Sequence, residues 1–314
     1  MTFWTPYPKL ADQLNTVQDT MSRTIKIKNE QTQQAILSLI TSGGKMLRPA
    51  YLLLFSEFSS LDQDKRIALA SSIELLHTAT LIHDDVIDQA QTRRGVPTIS
   101  HLYGTDVAVY AGDYLFICVF KLMVNHALDM SHLSNRITAM ETVLNGELAQ
   151  MTVKYDPTQT IKDYIATISG KTGELFAQAC AVPLIADKQP LLAKLAYDIG
   201  LHIGIAFQVM DDYLDYTSDT ESFGKPVLAD IKQGIYTAPV LFAIAEDKRV
   251  APLLESKAYT QVLTIIAESD ALDKTFKLAQ KHTNIALKLI NKLPDKPVKS
   301  DIFHITKTLL ERQL

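Results

Sequence analysis

The sequence predicts an all-α protein, and three observations carry the prediction. Of its 314 residues only 12 are Gly and 12 are Pro, so turns are few and the elements between them long. Apolar residues recur at helical spacing, as in Leu69, Ile73 and Leu76, or Leu191, Leu195, Ile199, Ile203 and Phe207. Alternating β-branched runs closed by Asn-Gly or Asp-Gly are nearly absent. With 47% apolar residues the chain can bury a large core. The expected architecture is one helical domain over residues 1–314, a bundle with a buried centre.

Breaks punctuate the helices in order. Thr41-Ser42-Gly43-Gly44 ends the first helical stretch, and the loop Gly43 to Pro49 leads into the next. A helix through Leu69 and Ile82 runs into the acidic segment His83 to Asp88 and stops in the loop Gln91 to Pro97. The helix after it holds Asp113-Tyr114-Leu115-Phe116-Ile117-Cys118-Val119-Phe120, apolar on more than one face, as a helix buried on both sides would be. Further breaks fall at Tyr155 to Pro157, Asp187 to Pro190, Ser218 to Pro226 and Pro294 to Pro297. The apolar helix leading into Asp211 lies between the second and third of these. The C-terminal stretch keeps helical periodicity without a recognisable site. No break is long enough to be an interdomain linker, and no internal repeat appears.

Composition narrows the function. Lys plus Arg number 31 against 35 Asp plus Glu, a formal net charge of −4, which argues against nucleic-acid binding through a basic face. Cys118 and Cys180 lie in apolar stretches, as buried thiols of a reducing compartment do, so the expected location is cytoplasmic. Met1 to Pro6 lacks a basic-then-apolar leader, and no run approaches the roughly 18 uninterrupted apolar residues of a membrane span.

The strongest chemical signal is a pair of acidic clusters, His83-Asp84-Asp85-Val86-Ile87-Asp88 and Asp211-Asp212-Tyr213-Leu214-Asp215, both reading D-D-x-x-D. On a helix the first and last Asp of each stand one turn apart on one face, and the middle one is offset by about 100°. One such cluster alone reads equally well as a solvated acidic face. Two of them, each after a largely apolar helix, place carboxylates at the ends of interior helices, where they repel unless a cation neutralises them. Such hard oxygen donors select Mg²⁺ or Mn²⁺ over Zn²⁺, with phosphate oxygens and water completing the shell. Cations for more than one phosphate group stand in loops: Lys45 and Arg48, then Arg93 and Arg94, Lys171 and Lys225. Arg grips phosphate through paired donors, whereas Lys acts as a point charge. Lys45 and Arg48 do not follow the order of a P-loop.

Six blocks occur in sequence: G-G-K-M-L-R-P at 43–49, E-L-L-H-T-A-T-L-I-H-D-D-V-I-D at 74–88, R-R-G-V-P-T at 93–98, G-E-L-A-Q at 146–150, K-T-G at 171–173 and F-Q-V-M-D-D-Y-L-D at 207–215. With them the chain resembles the trans-isoprenyl diphosphate synthases, the head-to-tail prenyl-chain elongating enzymes, from about residue 40 to about 245. The resemblance implies the isoprenoid-synthase helical fold and an enzyme of the long-chain type, like hexaprenyl and heptaprenyl diphosphate synthase catalytic subunits. It implies that Asp84, Asp85, Asp88, Asp211, Asp212 and Asp215 hold three Mg²⁺ ions on an allylic diphosphate such as farnesyl diphosphate. Arg93, Lys171, Thr172, Gln208 and Lys225 match positions that contact that diphosphate or its developing charge. Lys45, Arg48, His77 and Arg94 match the pocket for the diphosphate of isopentenyl diphosphate. Catalysis is then expected from Asp84, Asp85, Asp88, Lys171, Asp211 and Asp212. One departure stands out: where the family continues with G-K-x-T-x-P, this chain reads Gly234-Ile235-Tyr236-Thr237-Ala238-Pro239, and Lys232 is the neighbouring substitute for the missing cation.

Product length follows from the residues below the first cluster. Short-chain members of the family carry aromatic side chains four or five residues before the first Asp, and here those positions are Thr80 and Ala79. Leu76, Leu75 and Ser72 come deeper, and Phe116 and Phe120 on the following helix are candidates for the floor. At roughly one isoprene unit per helical turn of about 5.4 Å, a tunnel so lined is expected to admit a product of about six to eight units. The resemblance also implies a dimer, either of identical chains or with a small regulatory subunit. Two rivals remain at this stage. A metal phosphohydrolase using His83 and Asp84 gives no role to the second cluster, and a non-catalytic prenyl-binding protein has no need of paired clusters.

Overall fold

A computed structural model describes residues 2–126, 130–217 and 229–310. The described residues form helices in the order α1 (Pro8–Thr24), α2 (Glu30–Thr41), α3 (Leu47–Ser56), α4 (Gln63–Ile87), α5 (Ile99–Tyr103), α6 (Thr105–His126), α7 (Met130–Thr152), α8 (Ile161–Ile168), α9 (Glu174–Ala186), α10 (Pro190–Thr217), α11 (Ala229–Lys232), α12 (Ala238–Glu246), α13 (Val250–Glu255), α14 (Tyr259–Glu268), α15 (Ala271–Ile290) and α16 (Pro297–Leu310). A 3₁₀ turn, Thr2–Trp4, precedes them, and a π turn, Ser169–Gly173, joins α8 to α9. The all-α expectation holds. Among the described residues the sole strands are the hairpin Thr92–Arg93 with Val96–Pro97. Its turn residues Arg94 (φ 52°) and Gly95 (φ 78°) both take positive φ, as a tight two-residue hairpin requires. The other breaks also fall between helices, except Ser218 to Pro226, which lies outside the described residues.

Polar side chains start several helices by accepting a free N–H of the first turn. Asn29 accepts from Thr32, Asp62 from Lys65 and Thr98 from His101, while Thr160 and Asp163 cap each other reciprocally. Packing divides the chain into two compact units, Met1–Arg136 with Ala179–Lys194, and Ile137–Gln178 with Leu195–Leu314.

In the first unit α4 is the central helix, packed against α1, α3 and α6. Gly112 of α6 makes a notch for His83: a Cβ there would lie 2.3 Å from the His83 Nε2. That nitrogen lies 3.2 Å from the Val109 carbonyl and 3.4 Å from Asp113. His83 is therefore committed to helix packing, and the phosphohydrolase reading loses its histidine.

In the second unit Val209 and Met210 of α10 pack with Val240 and Leu241 of α12, Val262 and Ile266 of α14 and Ala279 of α15. By length and mean hydropathy two helices, α6 and α10, suffice to cross a membrane. Neither is an uninterrupted apolar run: Asp113 and Lys121 interrupt α6, and Asp198 and Gln208 interrupt α10.

Candidate active site

The first acidic cluster ends α4, and the second ends α10. Helix carbonyl dipoles make a C-terminus negative already, so carboxylates there oppose helix stability and call for a cation. Each cluster sorts its three Asp in the same way. Asp84 and Asp88, one turn apart, keep accessible surface, whereas Asp85 is buried at 2% exposure and accepts from Arg93 Nε at 2.6 Å. Asp211 and Asp215, again one turn apart, are half-buried, whereas Asp212 is 4% exposed and both its oxygens accept from protein donors. Tyr164 donates to one at 2.5 Å and Gln208 Nε2 to the other at 2.8 Å. All six Asp were expected as metal ligands; here Asp85 and Asp212 are already bonded to protein donors. The offset of the middle residue turns Asp85 and Asp212 into the protein, where they anchor their clusters, and leaves four outer carboxylates.

Burial pushes the Asp85 carboxyl up against the pull of Arg93, and Asp84 and Asp88 push it the same way. Burial likewise carries Asp212 up to about 7, opposed by the Tyr164 and Gln208 hydrogen bonds and aided by the charges of Asp230 and Asp211. Among the described residues no three His, Cys, Asp or Glu side chains already converge into a cage. The donor set nonetheless fits Mg²⁺, which takes one or two carboxylates and completes its shell with phosphate oxygens and water.

The expected isopentenyl pocket gathers in the first unit. His77 on α4 is held well below its usual range by burial and by the charges of Arg48, Arg94 and Arg93, so its imidazole is neutral. Glu74, one turn earlier and 7% exposed, is pushed up by burial and pulled down by Arg48 and Arg94. Arg94 Nη1 donates to the Gly43 carbonyl at 2.8 Å, which ties the hairpin turn to the loop carrying Lys45. Gly44 has φ 132°, a backbone conformation that favours glycine, and a Cβ there would stand 2.7 Å from the same nitrogen.

In the second unit the π turn at Ser169–Gly173 sets the directions of two site residues. Lys171 reaches Glu147 at 2.8 Å and Gln150 at 3.0 Å on α7. The Thr172 hydroxyl donates to the Gln208 side-chain oxygen Oε1 at 2.8 Å, which extends the chain of bonds to Asp212. Gly146 lets α7 come this close, since a Cβ there would meet the Gly170 and Lys171 backbone at 2.7 Å. Lys232 is exposed, and its carbonyl accepts from Tyr155 at 3.1 Å. Lys225 lies outside the described residues.

The expected tunnel residues divide. His77, Thr80, Leu81 and Asp84 of α4, with Asp88 at its C-cap, are accessible and form one stripe. Thr80 lies on it, with its hydroxyl donated back to the His77 carbonyl at 2.8 Å. Ala79 and Leu75 are 0% exposed, Ser72 2% and Leu76 6%, so these four are packed against protein rather than open to a tunnel. At about 100° per residue, Ala79, Leu75 and Ser72, five, nine and twelve residues before Asp84, face away from it round the helix, and Leu76 lies two turns deeper. Phe116 lies with its ring 5.7 Å from that of His83, level with the cluster rather than beneath it, and Phe120 stands one turn further along α6.

Sequence reasoning missed Glu74, Glu147, Gln150, Tyr164 and Asp230. Glu147 and Gln150 stood within a quoted block, and their spacing on one face of α7 was the available signal. Tyr164 had none, because its partner is 48 residues away.

The polyprenyl synthetase family model matches residues 29–268. Heptaprenyl diphosphate synthase component 2 of Geobacillus stearothermophilus is 34% identical over 92% of this chain and 92% of its own. The crystal structure of geranylgeranyl pyrophosphate synthase from Lactobacillus brevis superposes with a TM-score of 0.93 at 38% identity, covering 98% of this chain and 99% of that one. Heptaprenyl diphosphate synthase from Staphylococcus aureus gives 0.92 at 31% identity, covering 97% and 99%. With the two clusters, the guanidinium pocket and these likenesses together, the chain belongs to the polyprenyl synthetase family and is a prenyltransferase of the trans-isoprenyl diphosphate synthase type.

Proposed function

We propose that residues 1–314 act as one catalytic domain that adds isopentenyl diphosphate head-to-tail to an allylic diphosphate such as farnesyl diphosphate, releasing a long all-trans polyprenyl diphosphate of about six to eight units. The observation that carries this reading is the repeated sorting of each cluster, with one buried Asp bonded to protein and two accessible Asp one turn apart. The family uses magnesium. Three ions on the outer carboxylates Asp84, Asp88, Asp211 and Asp215 would neutralise the diphosphate as it leaves. Arg93 and Tyr164 hold the anchoring carboxylates still. Lys171, fixed by Glu147 and Gln150, supplies a positive charge, and Arg48, Arg94 and Lys45 grip the second diphosphate beside a His77 that adds no charge of its own. No side-chain nucleophile is required.

Length rests on the heptaprenyl relatives and on the small Thr80. A second reading, a four-unit product, is favoured by the 38% identity to the Lactobacillus brevis geranylgeranyl enzyme and by the close packing of Ala79, Leu75 and Ser72. The name "component 2" on the Geobacillus relative supports a small second subunit, with a homodimer as the alternative. Tyr110 at 73% exposure, Ile117 at 50% and Val124 at 62%, seven residues apart on α6, offer an apolar face for either partner. The buried, unpaired Cys118 and Cys180 support a cytoplasmic location.

Incubating the purified chain with labelled isopentenyl diphosphate, farnesyl diphosphate and Mg²⁺, with and without cell extract, and sizing the products tests all of this. Long products from the chain alone support a homodimer, and long products only with extract support a second subunit. A predominantly four-unit product selects the second reading. Absence of any product in both arms rejects the activity.

A further inference from the structure

We propose that Phe3 and Trp4 form an aromatic clasp that positions Lys45 and its loop to receive the diphosphate of the isopentenyl unit. The proposal rests on the reading of Lys45 as a ligand of that diphosphate. Trp4 is fully buried, and its Nε1 donates to the Lys45 carbonyl at 2.7 Å, across 41 residues of sequence. Phe3 packs edge-on against Trp4 with ring centroids 4.7 Å apart, and the Lys45 ammonium stands 5.3 Å from the Phe3 centroid. The same N-terminal turn thus holds both ends of one residue: the backbone by a hydrogen bond, the side chain by its charge over a ring.

The loop needs such a hold. Gly43 (φ 104°), Gly44 (φ 132°) and Met46 (φ 46°) all have positive φ, so regular structure does not fix it. Two of its carbonyls are taken, Gly43 by Arg94 and Lys45 by Trp4. In a trans peptide the carbonyl and the following N–H point in opposite directions. Turning the Lys45 carbonyl toward Trp4 therefore aims the Met46 N–H away from it. A lysine side chain also loses much rotamer freedom when it captures a phosphate. Holding its ammonium over Phe3 in advance reduces that loss, so the clasp acts through Lys45 and is a positioning device.

Trp4 is the single tryptophan of the chain, so tryptophan fluorescence reports on the surroundings of this one side chain. In the full-length protein, titration with isopentenyl diphosphate is expected to shift Trp4 emission in the wild type and not in Lys45→Gln. Phe3→Leu keeps the apolar volume but drops the ring, and Trp4→Phe keeps the packing but drops the donor. Each is expected to raise the KM for isopentenyl diphosphate by about threefold to tenfold, with kcat and the KM for the allylic diphosphate within about twofold. Phe3→Tyr, which restores a ring, is expected to return the KM to that of the wild type. If Lys45→Gln raises the KM for isopentenyl diphosphate while Phe3→Leu and Trp4→Phe do not, the clasp is overturned and the ligand reading stands. If Lys45→Gln leaves that KM unchanged, both fall. A loss of kcat and a rise in both KM values together, with a lower melting temperature in the two variants, shows a merely structural turn and also overturns the proposal.

Discussion

Asp84→Ala and Asp211→Ala each lower isopentenyl incorporation by about a thousandfold or more at saturating magnesium, while the helical circular-dichroism signal is retained. The rate falls because each substitution removes an accessible carboxylate from a cluster whose middle Asp is already bonded to protein. The fold survives because these carboxylates sit at helix C-termini, where a negative charge is unfavourable by about 0.3–1 kcal/mol at an exposed site. Melting temperatures are accordingly equal to the wild type or slightly higher. Asp212→Ala behaves differently: it leaves the Tyr164 hydroxyl and the Gln208 amide without their acceptor in a buried setting, at a cost of about 1–3 kcal/mol. Loss of activity with retained stability at Asp84 and Asp211, and loss of both at Asp212, separates cation-binding carboxylates from anchoring ones. Thermal unfolding and the incorporation assay on the same preparations decide this.

Thr80→Phe shortens the product by at least about two isoprene units without abolishing turnover. Thr80 lies on the accessible stripe of α4, one turn before Asp84, and its hydroxyl is spent on the His77 carbonyl. A phenyl ring there occupies the space that the growing chain needs first. Ala79→Phe is the contrasting variant. Ala79 has no exposed surface, so the ring is forced into packed protein, at a typical cost of about 1–3 kcal/mol. That variant lowers the melting temperature and leaves product length as it was. Chromatographic sizing of labelled products gives the answer. An unchanged distribution in Thr80→Phe removes this residue from length control.

Helix boundaries and both acidic clusters were legible because they are local. Spacing along one helix places Asp84 beside Asp88 and Asp211 beside Asp215 whatever surrounds them. The division within each cluster was not legible, because it depends on partners from elsewhere: Arg93 from the hairpin for Asp85, and Tyr164 from α8 for Asp212. The same holds for Ala79 and Thr80. They are neighbours in sequence and both small, and the packing of α4 decides which one keeps an open side. His83 reads as a metal ligand beside Asp84 until Gly112, on another helix, is seen to make room for its ring. Lys171 and Thr172 were legible as residues but not in direction, since a π turn cannot be inferred from K-T-G.

The double variant Asp84→Ala with Asp211→Ala bears most directly on whether both clusters serve a single diphosphate. Groups that stabilise one departing charge through shared ions fail as a unit, so the double variant should be no slower than the slower single variant by more than about tenfold. A double variant whose loss equals the product of the two single losses, each of them large, would show two independent sites and contradict the shared role.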